Sequence, residues 1–306
     1  MSGTSRGEFS SSFGFIMAAA GSAIGLGNIW GFPTQTAQNG GAAFVVLYLI
    51  LAFVVGYPIL LAEFTIGRHS QSNPVGTYQK IEGGKRFVPV GFLGIITVGF
   101  ILSFYSIIAG TMVAYFIEPI LKLVGLGGAA AWVTSQGVQS NMLFASVFFF
   151  LTIMIVVAGV KDGIEKWSSR LMPTLLAIMV LLVIYVLTLD GAMEGLKKYL
   201  IPDFTKVLNA GLFTSALGQA FFSLSLGVGS MLVLASYTSK KENLVRLGRL
   251  VTLCDVGIAF LAGLLIIPAM YAAAASGTQI FDETGALISG PNLIFQVLPA
   301  LFNTMG

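Results

Sequence analysis

The chain has 306 residues, 56 % of them hydrophobic and only 9 % charged, with a mean hydropathy of +0.90. Soluble domains carry about 25 % charged residues, so this composition excludes a soluble protein and identifies an integral membrane one. The net charge of +3 is too small to imply a nucleic-acid partner, and the single cysteine, Cys254, excludes an internal disulfide or a cysteine-built metal site.

Residues 1–12 are polar and Ser-rich, with no Lys/Arg cluster ahead of a short apolar core. No cleaved signal peptide is expected, and the first apolar segment stays in the membrane. About twenty apolar residues cross a bilayer. By that measure the spans are 13–37, 41–67, 89–124, 141–160, 171–189, 211–236 and 247–274, all of them helical because they are too long for barrel strands. The stretch 291–303 is apolar but short, and is expected as a re-entrant or surface hairpin helix.

The first span is interrupted. Ser22-Ala23-Ile24-Gly25-Leu26-Gly27-Asn28-Ile29-Trp30-Gly31-Phe32-Pro33 puts three glycines, an Asn and a Pro where a continuous helix would run. Glycine costs about 1 kcal/mol against alanine inside a helix. Non-helical backbone survives at membrane depth only where protein buries it or where it lines a polar cavity. The sixth span carries a second interruption, Phe222-Ser223-Leu224-Ser225-Leu226-Gly227-Val228-Gly229. Five spans separate the start of one broken segment from the start of the other, so the second unit begins on the opposite face of the membrane. The expected organisation is an inverted repeat, with a first five-helix unit over 13–189 and the start of a second over 190–306. Paired interrupted helices in two inverted halves mark the site of a secondary transporter. Close helix packing alone, as in Gly21-x-x-x-Gly25, does not call for Asn28, Ser223 and Ser225 beside the breaks.

With the N-terminus in the cytoplasm, twelve of the 16 Lys and Arg residues fall on the cytoplasmic side, and only Lys122, Lys197, Lys198 and Lys206 face outward. That distribution satisfies the positive-inside rule. Two acids lie within the spans, Glu63 and Asp255. Asp255 has no basic residue at its depth, so a bound cation is its natural partner; the alternative is a protonated, hydrogen-bonded core residue. Glu63 is placed to brace unwound backbone by accepting N–H groups, or else to pair with Arg68. Tyr105, mid-span, needs a hydrogen-bond partner that a ligand carboxylate would supply.

Several stretches together resemble the neurotransmitter:sodium symporter family, whose bacterial amino-acid carriers share the leucine-transporter fold. They are Gly21-Ser-Ala-Ile-Gly-Leu-Gly-Asn28, Phe32-Pro33, Asn39-Gly-Gly-Ala-Ala-Phe44, Glu63-Phe-Thr-Ile-Gly-Arg68, Gly159-Val-Lys-Asp-Gly-Ile-Glu-Lys166, Gly218 to Gly229, and Ala235-Ser-Tyr237. The resemblance implies an all-α membrane protein with about seven helices, the first and sixth broken. It also implies a sodium-coupled symporter that imports an amino acid or related amine by alternating access, in contact with membrane lipid, in a bacterial inner (plasma) membrane. One sodium would be held by the Ala23 carbonyl, Asn28, Ser223, Asp255 and the substrate carboxylate, and a second by the Gly21 and Ile24 carbonyls. Ser22, Ala23, Gly25, Leu26, Gly27, Tyr105, Phe222 and Ser225 would hold the substrate's polar head, while Ile101, Phe222 and Val228 shape its side-chain pocket. Chloride would not be required, because Asp255 stands where chloride-dependent relatives have an Asn. Arg6 is present at the inner gate, but Phe9 replaces the usual Trp. Gly31 replaces the Arg of the outer gate, and the chain ends at what resembles the hairpin before helix eight. A non-transporting fragment or interaction partner, and a proton-coupled permease of similar fold, are the alternatives. No enzyme is expected: Gly25-Leu26-Gly27 lacks the rest of a dinucleotide fingerprint, and the spans show no nucleophile–base pair.

Overall fold

The computed structural model describes residues 7–135, 137–203, 210–277 and 280. The described residues form helices and their connections, without a strand. In chain order these are α1 (Ser12–Ala23), α2 (Gly27–Gln38), α3 (Ala42–Ser70), α4 (Pro74–Lys80), α5 (Gly84–Leu123), α6 (Gly127–Val133), α7 (Val138–Val157), α8 (Val160–Val186), α9 (Ala192–Leu200), α10 (Ala210–Ser223), α11 (Ser230–Ala235) and α12 (Leu244–Ala275). Five of them, α3, α5, α7, α8 and α12, are long and apolar enough to cross a membrane. The α1–α2 pair makes a sixth candidate span, bent by 58°. The sixth expected span, 211–236, is present as α10 and α11, each too short to cross alone. The expected hairpin over 291–303 and the inner-gate residue Arg6 lie outside the described residues.

Most helix boundaries follow from hydropathy, with one instructive difference. The fifth span was expected from residue 171, yet α8 starts at Val160 with a π-helical turn, Val160–Glu165. Hydropathy undercounts it because Lys161, Asp162, Glu165, Lys166 and Arg170 sit in its first turns. Charges do not prevent helix formation where the helix leaves the apolar zone. Gly159, at φ 86°, sets the boundary with α7.

The packing separates a centre from a periphery. In the most apolar window of α12, 61 % of residues are buried, against 11 % in α5 and in α7. α12 is contacted by α1, α2, α3, α8 and α9 and forms the axis of the bundle. The exposed residues of α5 and α7 are themselves apolar, among them Phe92, Phe100, Phe116, Phe150 and Val157. That pattern fits a lipid solvent, which does not penalise exposed apolar surface. One buried cluster joins Phe15, Leu60, Phe64, Leu224 and Met231, and a second joins Phe32, Phe44, Tyr48 and Tyr199.

Gly67 lets α3 approach the backbone of α11: a Cβ there would overlap the Leu232 carbonyl. Backbone cannot swing aside as a side chain can. Gly67→Ala is therefore expected to destabilise the protein by about 1–3 kcal/mol, read as a lowered melting temperature in detergent. An unchanged melt would show that α3 and α11 are not in this close contact.

Candidate functional site

The two interruptions in sequence are neighbours in space. α1 ends at Ala23, and Ile24 is extended (φ −78°, ψ 107°) before the π-helical turn Gly27–Gly31 opens α2. The N–H of Gly25, freed by the break, donates to Asn28 Oδ1 at 3.2 Å. α10 ends at Ser223, and the chain then turns through Ser225 (φ 52°), Gly227 (φ 82°) and Gly229 (φ 84°) into α11. A left-handed conformation is ordinary for glycine but not for serine. Backbone in such sparsely populated regions clusters at functional sites. The Gly227 N–H donates to Glu63 Oε1 of α3 at 2.7 Å, and Glu63 Oε2 is buried without a hydrogen-bond partner.

Three contacts tie the breaks together. Asn28 Nδ2 donates to Ser223 Oγ at 3.0 Å, Gln219 Nε2 donates to the Gly27 carbonyl at 3.0 Å, and Ser225 Oγ donates to the Ser22 carbonyl at 3.3 Å. Behind them lies Asp255 on α12, fully buried. Its Oδ1 accepts from Asn28 Nδ2 and its Oδ2 from Ser223 Oγ, each at 2.7 Å. The Tyr48 hydroxyl donates to Ser223 Oγ at 3.3 Å. No Lys, Arg or His pairs with this carboxylate among the described residues. The amide nitrogen of Asn28, not its oxygen, faces the carboxylate, so the amide plane must turn before Oδ1 can meet a cation there.

In front of the network is a cavity of about 400 Å³. Gly21, Ser22, Ala23, Ile24, Gly25, Gly27, Ile101, Tyr105, Phe222, Ser225 and Val228 all line it. Leu26 does not line it and is buried (7 % exposed). Asn28, Ser223 and Asp255 form the layer behind the lining rather than the lining itself. Residue-level reasoning missed Val98, Leu102, Phe221, Leu226 and Ser230. Val98 and Leu102 were within reach, because 98, 101, 102 and 105 fall on one face of a 3.6-residue helix. On the same face, Gly94 brings α5 against the other break: a Cβ there would lie 2.8 Å from the Val228 carbonyl.

The cavity has two chemical ends. Peptide groups of the breaks and the Tyr105 hydroxyl supply one; that hydroxyl lies 3.4 Å from where a Cβ of Gly25 would stand. Val98, Ile101, Leu102, Phe222 and Val228 supply an apolar wall. Among the described residues no Lys, Arg, Asp or Glu side chain lines it. At Gly27 a Cβ would lie 2.7 Å from the Phe222 ring, so any larger residue there displaces that ring. Gly31 is different. A Cβ there would have only ordinary contacts, 3.8 Å to the Leu26 carbonyl and 3.9 Å to Gln219 Oε1. Phe9 is buried, packs edge-on against Phe15 with ring centroids 5.3 Å apart, and donates its N–H to the Tyr237 carbonyl at 3.1 Å.

This geometry has counterparts in known proteins. The uncharacterized sodium-dependent transporter YhdH of Bacillus subtilis (strain 168) is 38 % identical over 304 residues, which cover 97 % of this chain and 65 % of that protein. An uncharacterized sodium-dependent transporter of Methanocaldococcus jannaschii is 34 % identical, over 98 % of this chain and 62 % of its own length. The chain thus spans somewhat less than two thirds of these relatives. The crystal structure of MhsT in complex with L-phenylalanine superposes with a TM-score of 0.82 at 39 % identity, covering 98 % of this chain and 67 % of that one. The model of the sodium:neurotransmitter symporter family matches residues 6–143 and 133–306. With both broken helices, the buried acid behind them and nearly every residue of the chain accounted for, this protein belongs to the sodium:neurotransmitter symporter family, a family of transporters and not of enzymes.

Proposed function

We propose that the protein is the sodium- and substrate-binding part of a symporter that carries an amino acid or related amine across the plasma membrane of a bacterium. The observation that carries this reading is the fully buried Asp255, with no cationic side chain paired to it among the described residues, directly behind a cavity walled by two helix breaks. An unpaired carboxylate in an apolar interior is unfavourable by several kcal/mol, and a sodium ion beside it removes that penalty. The Ala23 carbonyl, Asn28 Oδ1 after an amide turn, Ser223 Oγ and the Asp255 carboxylate offer the hard oxygen donors that sodium prefers. The Gly21 and Ile24 carbonyls, freed at the end of α1, are the first donors of a second sodium site.

The substrate binds with its carboxylate toward the N–H groups that open α2 and the Tyr105 hydroxyl, where the helix dipole favours negative charge. Its ammonium group lies toward the carbonyls ending α1 and α10, with Ser22 and Ser225 completing that end. The apolar wall of Val98, Ile101, Leu102, Phe222 and Val228 takes an apolar side chain. MhsT, crystallised with L-phenylalanine, supports the amino-acid class. Because Asp255 brings the counter-charge, chloride is not needed. The inverted-repeat division at residues 189/190 and a cytoplasmic N-terminus complete the reading, supported by the positive-inside distribution.

The test is thermal unfolding of the purified protein with each of the twenty amino acids, in sodium and in potassium buffer. A ligand at a hundred times its Kd stabilises by about 2.7 kcal/mol. At least one apolar amino acid is expected to raise the melting temperature in sodium and not in potassium. Equal responses in both ions would point to a proton-coupled permease, and no response in either to a non-transporting protein.

A further inference from the structure

α1 is separated from α2 by the break at Ile24 to Leu26, so its N-terminal end is free to move unless something holds it. Contacts from two elements hold it, the α11–α12 connection and α8. The Phe9 N–H donates to the Tyr237 carbonyl at 3.1 Å. Ser12 Oγ lies 2.8 Å from both carboxylate oxygens of Glu242, in the turn before α12. The densest contact is with Glu165, which closes the π-helical turn of α8 and is 6 % exposed. Its Oε2 accepts the Ser10 N–H at 2.8 Å, and its Oε1 accepts the hydroxyls of Ser10 at 2.6 Å and of Ser11 at 3.1 Å. Among the described residues no basic side chain pairs with Glu165. Gly14, one turn into α1, leaves the space for this carboxylate, because a Cβ there would overlap it.

We infer that Glu165 and the serines that precede α1 form a latch that shuts the N-terminal side of the cavity, and that α1 must release Glu165 for that side to open. The inference rests on the transporter reading for its purpose but not for its test. A carboxylate suits a contact that must break repeatedly. It is held by three donors when closed, and water replaces them when the segment lifts away. An apolar plug of the same size would leave exposed apolar surface on opening. α1 is the lever, since its other end carries Gly21, Ser22 and Ala23 of the cavity lining. Charge-assisted hydrogen bonds are the stronger kind. Two packed arrangements separated by such a small set of contacts make a bistable element.

The experiment measures the distance between spin labels on Phe13→Cys in α1 and Lys161→Cys in α8, both exposed sites, in the full chain with Cys254→Ala. No sodium or amino acid is present, so failure of the transport reading leaves the outcome unaffected. Glu165→Gln and Ser10→Ala are each expected to raise the ratio of long to short distances about tenfold or more. Ser10→Ala leaves the Ser11 cap of α1 in place, where the Gly14 N–H meets Ser11 Oγ at 2.9 Å, and tests the contact should Glu165→Gln fold poorly. The double variant is expected to match the stronger single one, because both remove the same contact. Unchanged distances in either folded variant, or effects that simply add, would overturn the latch.

Discussion

Asp255→Asn is expected to abolish the stabilisation of this protein by sodium while leaving the ion-free protein as stable as before, or more so. The two signs share one cause. The carboxylate is fully buried and faces the Asn28 amide and the Ser223 and Tyr48 hydroxyls, all of them neutral, so without a cation its charge is poorly compensated. Asparagine keeps the shape. Its oxygen can still accept from Asn28, and the Ser223 hydroxyl can rotate to accept from the new NH₂ group while donating its own hydrogen to the Tyr48 oxygen 3.3 Å away. The fold loses a charge it had to bury, and sodium loses the ligand that neutralises it. Loss of a contact worth about 3 kcal/mol corresponds to a sodium affinity more than a hundredfold weaker. Thermal unfolding across a sodium titration, in gluconate and in chloride, measures both signs. The unmutated protein is expected to respond equally in the two anions. A response confined to chloride would show that Asp255 is not the counter-charge. In chloride the variant is expected to recover little, because Ala259 offers no hydroxyl to an anion.

Gly27→Ala is expected to remove amino-acid binding with only a small change in the melting temperature of the free protein. The added methyl would stand 2.7 Å from the Phe222 ring, far inside van der Waals contact. Phe222 is 53 % exposed and sits at the edge of the cavity, so the ring can rotate away instead of straining the backbone. It then leaves the apolar wall and enters the space proposed for the substrate. A hundredfold loss in affinity, about 2.8 kcal/mol, is the expected scale. Isothermal titration with the best-binding amino acid from the sodium screen provides the measurement, with Phe222→Ala for comparison. Retention of full affinity in Gly27→Ala would place the substrate away from this contact.

The residues alone carried the class of the protein, its spans and both broken helices, because each is a local property. An apolar run of twenty residues, a cluster of glycines inside it and a solitary acid at mid-depth need no tertiary partner to be informative. Asp255 and Glu63 stood out on charge alone, and Ser22 to Asn28 on glycine content. Other features depended on contacts between residues remote in the chain. Asn28 meets Asp255 across 227 residues, and which end of its amide faces the carboxylate is decided by the Gly25 N–H and the Ser223 hydroxyl around it. Glu63 had two possible partners in the sequence, Arg68 and freed backbone. In the fold its carboxylate takes the Gly227 N–H, while Arg68 donates to the Glu242 carbonyl at 2.6 Å. Leu26 sits within the richest motif of the chain, yet it does not line the cavity and is buried, because the break sets the surroundings of each residue individually. Glu165 reads in sequence as one of several charges around the start of a helix. Only the folded chain, by laying Gly14 against it and bringing three donors from Ser10 and Ser11, makes it a buried acceptor and gives the end of α1 something to let go of.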